Sequence, residues 1–229
     1  MGKALFITGT GTDVGKTYVT ALIVKRLKDA GLDAGYYKAA ISGAERDEED
    51  GTLHAGDALY VKEIAELAET QEELVSYIYE AAVSPHLAAQ LNDDPIDLDV
   101  VEKDFHRALA AHDYIAMEGS GGIICPLRWD KKEHIILDDL VKRLGLGALV
   151  IADAGLGAIN AAVLTVEHLR ARGIPVRGII LNRFCEGDVM KEDNYDMIEA
   201  ITGVKIVATV QTGDEALDID ADALAALFE

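Results

Sequence analysis

The chain has 229 residues, of which 50% are hydrophobic and 27% are charged. This balance is typical of one globular domain with a sizeable core, and it excludes a disordered or collagen-like chain. The 21 basic and 41 acidic side chains give a net charge of −20. Nucleic acid and anionic membrane surfaces are therefore excluded as main partners, and an anionic ligand needs a local binding site.

Short apolar runs alternate with longer stretches of helical periodicity, which predicts βα units and a mostly parallel sheet of about seven strands. Four glycines follow helical stretches at positions suited to left-handed C-caps, namely Gly31, Gly145, Gly173 and Gly203. We expect an α/β three-layer sandwich, with residues 1–229 forming a single domain. The predicted strands are Ala4–Thr8, Ala34–Lys38, Val75–Tyr79, Tyr114–Glu118, Ala148–Ala152, Arg177–Asn182 and Lys205–Thr209, and the clearest predicted helices are Thr17–Lys28, Leu98–Ala111 and Ile159–Arg170.

Two segments depart from this pattern. The nearly uncharged segment 144–166 has the hydropathy of a membrane span, but Asp153 and Asn160 interrupt it. We interpret it as a buried strand, a functional turn and a helix, because a carboxylate in lipid is costly. The acidic run Glu45–Asp50 is interpreted as a solvated loop.

The strongest motif is TGTGTDVGKT at residues 8–17, which follows the first predicted strand and opens the first predicted helix. In a phosphate-binding loop (P-loop), backbone amides and the helix N-terminus face the phosphates. Lys16 would reach the β and γ oxygens there, and Thr17 can bind Mg²⁺. The match to GxxxxGK[ST] is imperfect, since Thr10 replaces its first glycine. A glycine-rich turn with a surface lysine is the alternative, but the strand and helix around the motif favour nucleotide binding.

Charged residues at predicted strand ends complete a candidate site. Glu118 ends a strand before Gly119-Ser120-Gly121-Gly122, at the sheet edge where open α/β sheets bind ligands. Asp57 is a second candidate metal ligand, although a residue with this spacing alone is more often a helix cap. Lys38 also ends a strand and is either solvated or placed to stabilise a transferred phosphoryl group. His86 shows no metal-ligand spacing and is interpreted as structural.

The two cysteines, Cys125 and Cys185, form neither a CxxC pair nor a zinc motif with histidines. Without a disulfide framework, a reducing cytoplasmic location is predicted. The apolar run at residues 4–7 is too short for a signal peptide, so no export is expected.

In chain order, several motifs resemble those of the dethiobiotin synthetase family, over residues 4 to about 210. The family's form of the P-loop has Thr10 at its irregular position. The resemblance implies an ATP-dependent cyclo-ligase that converts 7,8-diaminononanoate and CO₂ into the cyclic urea dethiobiotin. The reaction passes through a carbamate and a carbamic-phosphoric anhydride and releases ADP and phosphate. The matching segments are residues 9–17, Tyr37-Lys38 with Ser42-Gly43, Gly56-Asp57-Ala58, Ser84-Pro85-His86, residues 118–122 and residues 156–160.

The resemblance also implies roles for individual residues. Lys38, Lys16 and Thr12 would be catalytic, and Thr17, Asp57 and Glu118 would hold Mg²⁺. The substrate would contact Thr12, Lys38 and Ser42, with Gly157 and Asn160 of a second subunit receiving its carboxylate, which implies a homodimer. The nucleotide site would comprise Asp13, Val14, Gly15, Lys16, Thr17, Tyr18, Asp57, Glu118, Gly119, Ser120, Gly121, Asn182, Gln211, Thr212 and Gly213.

Three positions depart from the family pattern. Ala39 and Gln211 stand where prolines are common in relatives. Gln211 in particular leaves open whether ATP or another nucleoside triphosphate is preferred. Cys125 stands where a threonine is often found, and we interpret it as a buried neighbour of the site rather than as a nucleophile.

Two other classes of protein carry P-loops. Switch ATPases of the partitioning or metallochaperone type have a lysine early in the loop, whereas residues 9–14 contain none. A noncatalytic nucleotide-binding regulatory module would not need Lys16, Lys38 and Glu118 together. Phosphate release that requires the diamine is expected of a synthetase, and basal or partner-stimulated hydrolysis is expected of a switch.

Overall fold

The computed structural model describes residues 2–228. In chain order the structure contains β1 (Lys3–Gly9), α1 (Lys16–Asp29), β2 (Ala34–Ser42), β3 (Glu45–Arg46), β4 (Leu53–His54), α2 (Gly56–Ile64), α3 (Gln71–Leu74), β5 (Val75–Tyr79), α4 (Pro85–Leu91), α5 (Leu98–Ala111), β6 (Tyr114–Gly122), β7 (Pro126–Trp129), β8 (His134–Ile136), α6 (Leu137–Arg143), β9 (Ala148–Asp153), α7 (Ala158–Ala171), β10 (Val176–Asn182), α8 (Val189–Thr202), β11 (Ile206–Val210) and α9 (Ala221–Ala225).

A seven-stranded sheet in the order β11-β10-β9-β1-β6-β2-β5 forms the middle layer. All of its strand pairs are parallel. The first strand, β1, lies in the centre between β6 and β9, and residues 4–9 are buried. A parallel strand covered on both faces reads as a continuous apolar run, which is why ALFI was recognisable as a strand.

Helices cover both faces of the sheet. On one face, Val19 of α1, Val61 of α2 and Leu224 of α9 join one buried hydrophobic cluster. On the other face, α4 to α8 contribute to a second cluster, which includes Phe105 of α5 and Val166 of α7. The predicted three-layer α/β sandwich is therefore confirmed.

All seven predicted strands are present, and α1, α5 and α7 correspond to the three predicted helices. The four glycines predicted at helix ends have φ angles between 64° and 80°. This left-handed backbone is readily adopted by glycine, and it ends α1, α6, α7 and α8. The extent of the domain, residues 1–229, stays a prediction.

Two predicted strand ends were wrong, and both concern candidate site residues. Lys38 and Glu118 lie within their strands rather than at the ends, because β2 continues to Ser42 and β6 continues to Gly122. Ser42 pairs with Tyr79 of β5, and Gly122 pairs with Gly9 of β1 after a register irregularity. Backbone pairing with neighbouring strands thus extends both strands through segments that look like loops in the sequence.

The acidic run at residues 45–50 is also more structured than a loop. Glu45–Arg46 pairs with Leu53–His54 in a short antiparallel hairpin. The Asp47 carboxylate accepts a hydrogen bond from the amide of Glu49 at 2.7 Å, which tightens the turn. The prediction of a solvated position holds, since most of these side chains are exposed.

The segment 144–166 folds as predicted into β9, a turn and the start of α7. Asp153 ends β9, and its Oδ1 accepts a hydrogen bond from the amide of Gly155 at 2.7 Å. None of the helices within residues 2–228 is both long and apolar enough to cross a membrane.

Candidate functional site

A cavity of about 650 Å³ opens at the carboxyl edge of the sheet, between the segment after β1, the end of β2 and the end of β6. Most of the sequence-predicted site residues line it. These are Thr12, Asp13, Gly15, Lys16, Thr17, Tyr18, Lys38, Ser42, Asp57, Glu118, Ser120 and Gly121.

The phosphate loop connects β1 to α1, and its backbone requires glycine at one position. Gly15 is the N-cap of α1 with φ 86°. A Cβ atom there would lie 2.1 Å from Asn182 Nδ2, so any side chain would collide with β10. Lys16 begins α1 and is 8% exposed, and its Nζ donates a hydrogen bond to the carbonyl of Gly11 at 3.1 Å.

A buried network of charges lies beside the loop. Lys38 Nζ donates to Asp57 Oδ2 at 2.5 Å and to Glu118 Oε1 at 2.8 Å. Lys38 is 3% exposed and Glu118 is 1% exposed. Thr17 Oγ1 donates to Glu118 Oε1 at 2.8 Å, and the Tyr36 hydroxyl donates to Glu118 Oε2 at 3.0 Å. Both oxygens of the buried carboxylate are therefore hydrogen-bonded, as a buried charge requires.

The surroundings set the charge states of these groups. Burial lowers the pKa of Lys38, but Glu118 and Asp57 outweigh burial and raise it above the usual value. Burial also raises the pKa of Asp57, and Lys38 reverses this effect, so that pKa is lowered overall. Burial raises the pKa of Tyr36 well above its usual value. At neutral pH the site thus holds a cationic Lys38, an anionic Asp57 and a protonated Tyr36.

Lys16 differs from Lys38, because burial lowers the pKa of Lys16 and the nearby carboxylates only partly offset that effect. Its ammonium contacts a backbone carbonyl rather than a carboxylate. A phosphate anion would favour the charged form and supply the missing partner.

The oxygen atoms near Lys38 suit a divalent cation. The Thr17 hydroxyl donates a hydrogen bond to the Glu118 carboxylate, and Lys38 joins that carboxylate to the carboxylate of Asp57. Within residues 2–228 there is no group of three or more His, Cys, Asp or Glu residues that could hold a metal ion. Two carboxylates and a hydroxyl nevertheless fit Mg²⁺, which takes few protein oxygens and completes its octahedron with water and phosphate.

Several predicted site residues do not line the main cavity. Gly119 is buried, and a Cβ atom there would lie 2.7 Å from Phe6 Cζ. Asn182 ends β10 behind the loop, where its Nδ2 donates to the carbonyl of Val14 at 2.9 Å. Its Oδ1 is buried and has no hydrogen-bond partner in the described part of the chain.

The segment 211–213 lies after β11 and is exposed. Tyr18 connects it to the phosphate loop, since the Tyr18 hydroxyl donates a hydrogen bond to the carbonyl of Asp214. The backbone of Gln211 is held in turn by the Asp214 carboxylate at 2.7 Å.

Gly157 and Asn160 lie at the start of α7 and do not line the main cavity of their own chain, although Asn160 also lines a smaller cavity with Gly9 and Thr10. They line a separate, largely apolar cavity of about 490 Å³ together with Leu156, which is 95% exposed. Gly157 is the N-cap of α7 with φ 90°. The structure therefore does not bring these two residues to Lys16 or Lys38 within one chain.

Two further residues from the sequence analysis, Cys125 and His86, do not line the main cavity. Cys125 is half-buried, and burial raises the pKa of its thiol to about 11. The thiol is protonated at neutral pH and is a poor nucleophile. His86 Nδ1 lies 3.0 Å from the Ser84 hydroxyl next to the N-terminus of α4, a local structural contact.

Sequence analysis missed three polar side chains of the site, those of Tyr36, Tyr60 and Arg183. Tyr36 binds Glu118, and the other two line the cavity. The signal for Tyr36 was its position two residues before Lys38, because alternate residues of a strand share a face. Tyr60 follows Asp57 on α2 at helical spacing, and Arg183 directly follows the strand end at Asn182.

The fold and the site define a P-loop nucleotide-binding protein of the α/β class, and comparison with known proteins agrees. Residues 3–216 match the family model described as an AAA domain. A ParA family ATPase from Chlorobium tepidum TLS superposes with a TM-score of 0.56 at 16% identity, covering 99% of this chain and 89% of that chain. The MinC:MinD cell division protein complex of Aquifex aeolicus also gives 0.56, at 17% identity, over 99% and 86% of the two chains. At such identities the likeness concerns the fold alone.

Curated relatives show to which family of P-loop proteins the chain belongs. The ATP-dependent dethiobiotin synthetase BioD of Brachyspira hyodysenteriae is 50% identical over 229 residues, covering 100% of both chains. The enzyme of the same name from Clostridium botulinum strain 657 is 46% identical over 100% of this chain and 99% of its own. The chain belongs to the ATP-dependent dethiobiotin synthetase family, as its motifs indicated.

Proposed function

We propose that this protein is an ATP-dependent dethiobiotin synthetase that closes 7,8-diaminononanoate and CO₂ into a cyclic urea. The observation that carries the proposal is Lys38, a second buried lysine beside the phosphate loop, with carboxylates on either side. A phosphate loop alone would support binding of a nucleotide. The added cation supports transfer of a phosphoryl group onto a second substrate.

The reaction proceeds in three steps. One substrate amine adds to CO₂ and gives a carbamate after loss of a proton. A carbamate oxygen then attacks the γ-phosphorus, the bond to the β-phosphate oxygen breaks, and ADP leaves. The second amine attacks the carbonyl carbon of the resulting anhydride, loses a proton and expels phosphate as the ring closes. The protein holds the reactants in line and stabilises negative charge.

Two lysines and two hydroxyl side chains of the cavity have parts in these steps. Lys16, at the N-terminus of α1, binds the β- and γ-phosphates with the loop amides. Lys38 lies where it can stabilise the carbamate and the phosphoryl group in transfer. Thr12 and Ser42 line the same cavity and hydrogen-bond the carbamate and amine end of the substrate.

Thr17, Asp57 and Glu118 would hold Mg²⁺, whose oxygen preference matches their hydroxyl and carboxylate groups. When bound, this cation neutralises charge on the β and γ oxygens of the nucleotide.

Base recognition involves Asn182 and the segment 211–213. The buried Oδ1 of Asn182 lacks a donor within residues 2–228, which fits an exocyclic amino group of a base. Tyr18 keeps the exposed segment after β11 close to the loop. ATP is the proposed nucleotide, and the family resemblance leaves room for other triphosphates at Gln211.

The protein acts as a homodimer, in which Gly157 and Asn160 of one subunit bind the substrate carboxylate of the other. Support comes from the N-terminus of α7, a 14-residue helix whose dipole favours anions. It also comes from the separation of these residues from the main cavity within one chain. The net charge of −20 disfavours nucleic acid and membrane partners. A cytoplasmic location stays a prediction from the cysteine content.

The test is mass spectrometry of the product formed from diaminononanoate, bicarbonate, Mg²⁺ and ATP. The expected product has the substrate mass plus one CO₂ minus one water, and its formation should release one phosphate. Lys16→Ala serves as the control for contaminating enzyme. Phosphate release without the diamine, and without this product, would instead identify a switch ATPase.

A further inference from the structure

Two consecutive carbonyl groups of the phosphate loop are held by two consecutive residues at the end of β10. Asn182 Nδ2 donates to the carbonyl of Val14 at 2.9 Å, and Arg183 Nη2 donates to the carbonyl of Asp13 at 2.8 Å. The two bonds join the loop to a strand that is distant in sequence. None of the family motifs in the sequence includes Arg183.

These bonds determine which way the loop amides point. A trans peptide is planar, so its N–H group points away from its carbonyl. With the carbonyls of Asp13 and Val14 turned toward β10, the N–H groups of Val14 and Gly15 must turn to the opposite side. Within residues 2–228 no acceptor bonds either amide. These are the groups that a phosphate loop offers to its anion.

The loop conformation held in this way is not one that the chain adopts freely. Asp13 has φ 60°, in the left-handed region that residues with a Cβ rarely occupy. Arg183 also has a positive φ, 56°. The contact therefore joins two residues of high backbone energy, and each is stabilised by tertiary contacts.

The guanidinium of Arg183 is itself fixed. Arg183 Nη1 donates to Asp153 Oδ2 at 2.6 Å. Asp153 ends β9 and is the register partner of Asn182, which brings its carboxylate next to Arg183. One planar guanidinium thus bridges a carboxylate on β9 and a carbonyl of the loop, a geometry that lysine cannot reproduce.

We propose that Arg183 is a positioning residue that holds the phosphate loop in its anion-binding conformation before the nucleotide enters. It acts through the carbonyl of Asp13 and not through contact with the base. The proposal rests on the proposed function only in that the loop binds a nucleoside triphosphate.

The experiment measures binding of MgATP and of magnesium tripolyphosphate by calorimetry to the full-length protein. Arg183→Met should weaken both ligands by the same factor, about five- to tenfold, the loss expected for a partly exposed hydrogen bond from a charged donor. Arg183→Lys keeps the positive charge but lacks the planar guanidinium with its two donors, so its affinities should lie between those of wild type and Arg183→Met. In turnover, KM for ATP should rise while kcat stays within about twofold of wild type, since uniform binding is lost.

Arg170→Met is the matched control. Its guanidinium also bonds one carboxylate, Glu167 at 2.9 Å, and one backbone carbonyl, Thr202 at 2.6 Å, but it lies at the far end of α7. The affinities of this variant should equal those of wild type, and circular dichroism should show that all variants are folded.

The binding results distinguish an error in the role of Arg183 from an error in the proposed function. A loss for MgATP with unchanged tripolyphosphate binding would show that Arg183 contacts the nucleoside, and equal affinities throughout would show that the loop needs no such support. If Arg183→Met does not fold, Arg183→Lys decides, because wild-type affinities for both ligands would contradict the proposal. A wild type that binds neither ligand would contradict the proposed function itself.

Discussion

Lys38 and Glu118 form an ion pair that is almost entirely removed from water. Such a pair is costly to break, because removal of one partner leaves an uncompensated buried charge. The exposed side of the network is Asp57, whose side chain is 44% exposed. The ammonium of Lys38 is therefore bound by the buried Glu118 carboxylate on its inner side and by the Asp57 carboxylate on the side that faces solvent.

Lys38→Met should nearly abolish dethiobiotin formation while MgATP still binds, because the loop amides and Lys16 remain. Loss of one cation that stabilises the transition state costs on the order of 10²–10³ in rate, by analogy with oxyanion-hole donors. Rate assays test the loss of turnover, and calorimetry on the same preparation tests whether MgATP still binds. Lys25→Met is the control, since Lys25 forms an exposed pair with Asp29 on α1. A variant at position 38 with wild-type turnover would show that this lysine has only a structural role.

Asp57 should contribute to stability at neutral pH and not in acid. Its pKa is lowered in the folded state from 3.8, so its stabilisation is present above that unfolded value and is lost as pH falls through the folded value. Thermal unfolding should therefore show wild type more stable than Asp57→Asn at pH 7, with the difference shrinking below about pH 4. Asp196→Asn, at an exposed position of α8, should show a smaller change. A difference independent of pH would mean that the Asp57 charge is not involved.

The sequence identified the reactive residues of the site better than it identified the residues that hold them in place. Lys16, Thr17, Lys38, Asp57 and Glu118 were all expected in one site, Asp57 through the family resemblance, and they line one cavity. These residues are recognisable because their side chains are reactive or bind ions and because they lie in short local motifs. Tyr36 and Arg183 act through bonds to distant parts of the chain, and a contact of that kind leaves no local pattern.

At the scale of elements, α1 has a left-handed glycine at each end, Gly15 and Gly31, with φ angles of 86° and 80°. Only the first has a neighbour that a side chain would strike, Asn182 Nδ2, whereas nothing lies within 4 Å of a Cβ at Gly31. A side chain at Gly15 would therefore meet both backbone strain and a collision, whereas a side chain at Gly31 would meet backbone strain alone.

Gly15→Ala should abolish measurable nucleotide binding, because relief of the collision must move the loop or Asn182. Gly31→Ala should lower stability by about 1 kcal/mol through left-handed strain alone and leave nucleotide affinity unchanged. Calorimetry and thermal unfolding of both variants check this. Equal nucleotide affinities in the two variants would show that the loop tolerates the shift.

The elements themselves were predictable to different degrees. Buried parallel strands such as β1 and β9 are uninterrupted apolar runs, and their bounds were found to within about one or two residues. The hairpin of β3 and β4 has two residues in each strand, too few for a period to be visible. The extension of β6 through glycines arises from the partner strand β1, which local sequence does not describe.

At the scale of the whole molecule, the proposed dimer places Lys16 of one chain and Asn160 of the other in one active site. Asn160→Asp would set a negative charge against the substrate carboxylate. Lys16→Ala and Asn160→Asp should therefore each be nearly inactive as homodimers.

Mixed after subunit exchange, half of the dimers would be heterodimers with one intact site each. About a quarter of wild-type activity should return under isologous symmetry. Native mass spectrometry verifies that heterodimers form. If they form and activity stays at the level of the parent variants, residues 157–160 do not serve the partner's site.

The central position of β1 also bears on the order in which the chain can fold during synthesis. Residues 3–9 pair with residues 114–122 of β6 and with 148–151 of β9, so β1 is synthesised before either of its neighbours. At about 5–20 residues per second, the interval before both neighbours are made lasts on the order of ten seconds. Until then the apolar run of β1 is exposed without strand partners. We therefore expect the phosphate loop, which follows β1, to become ordered only after both neighbouring strands have been synthesised, and we expect the nascent chain to bind chaperones that cover apolar segments.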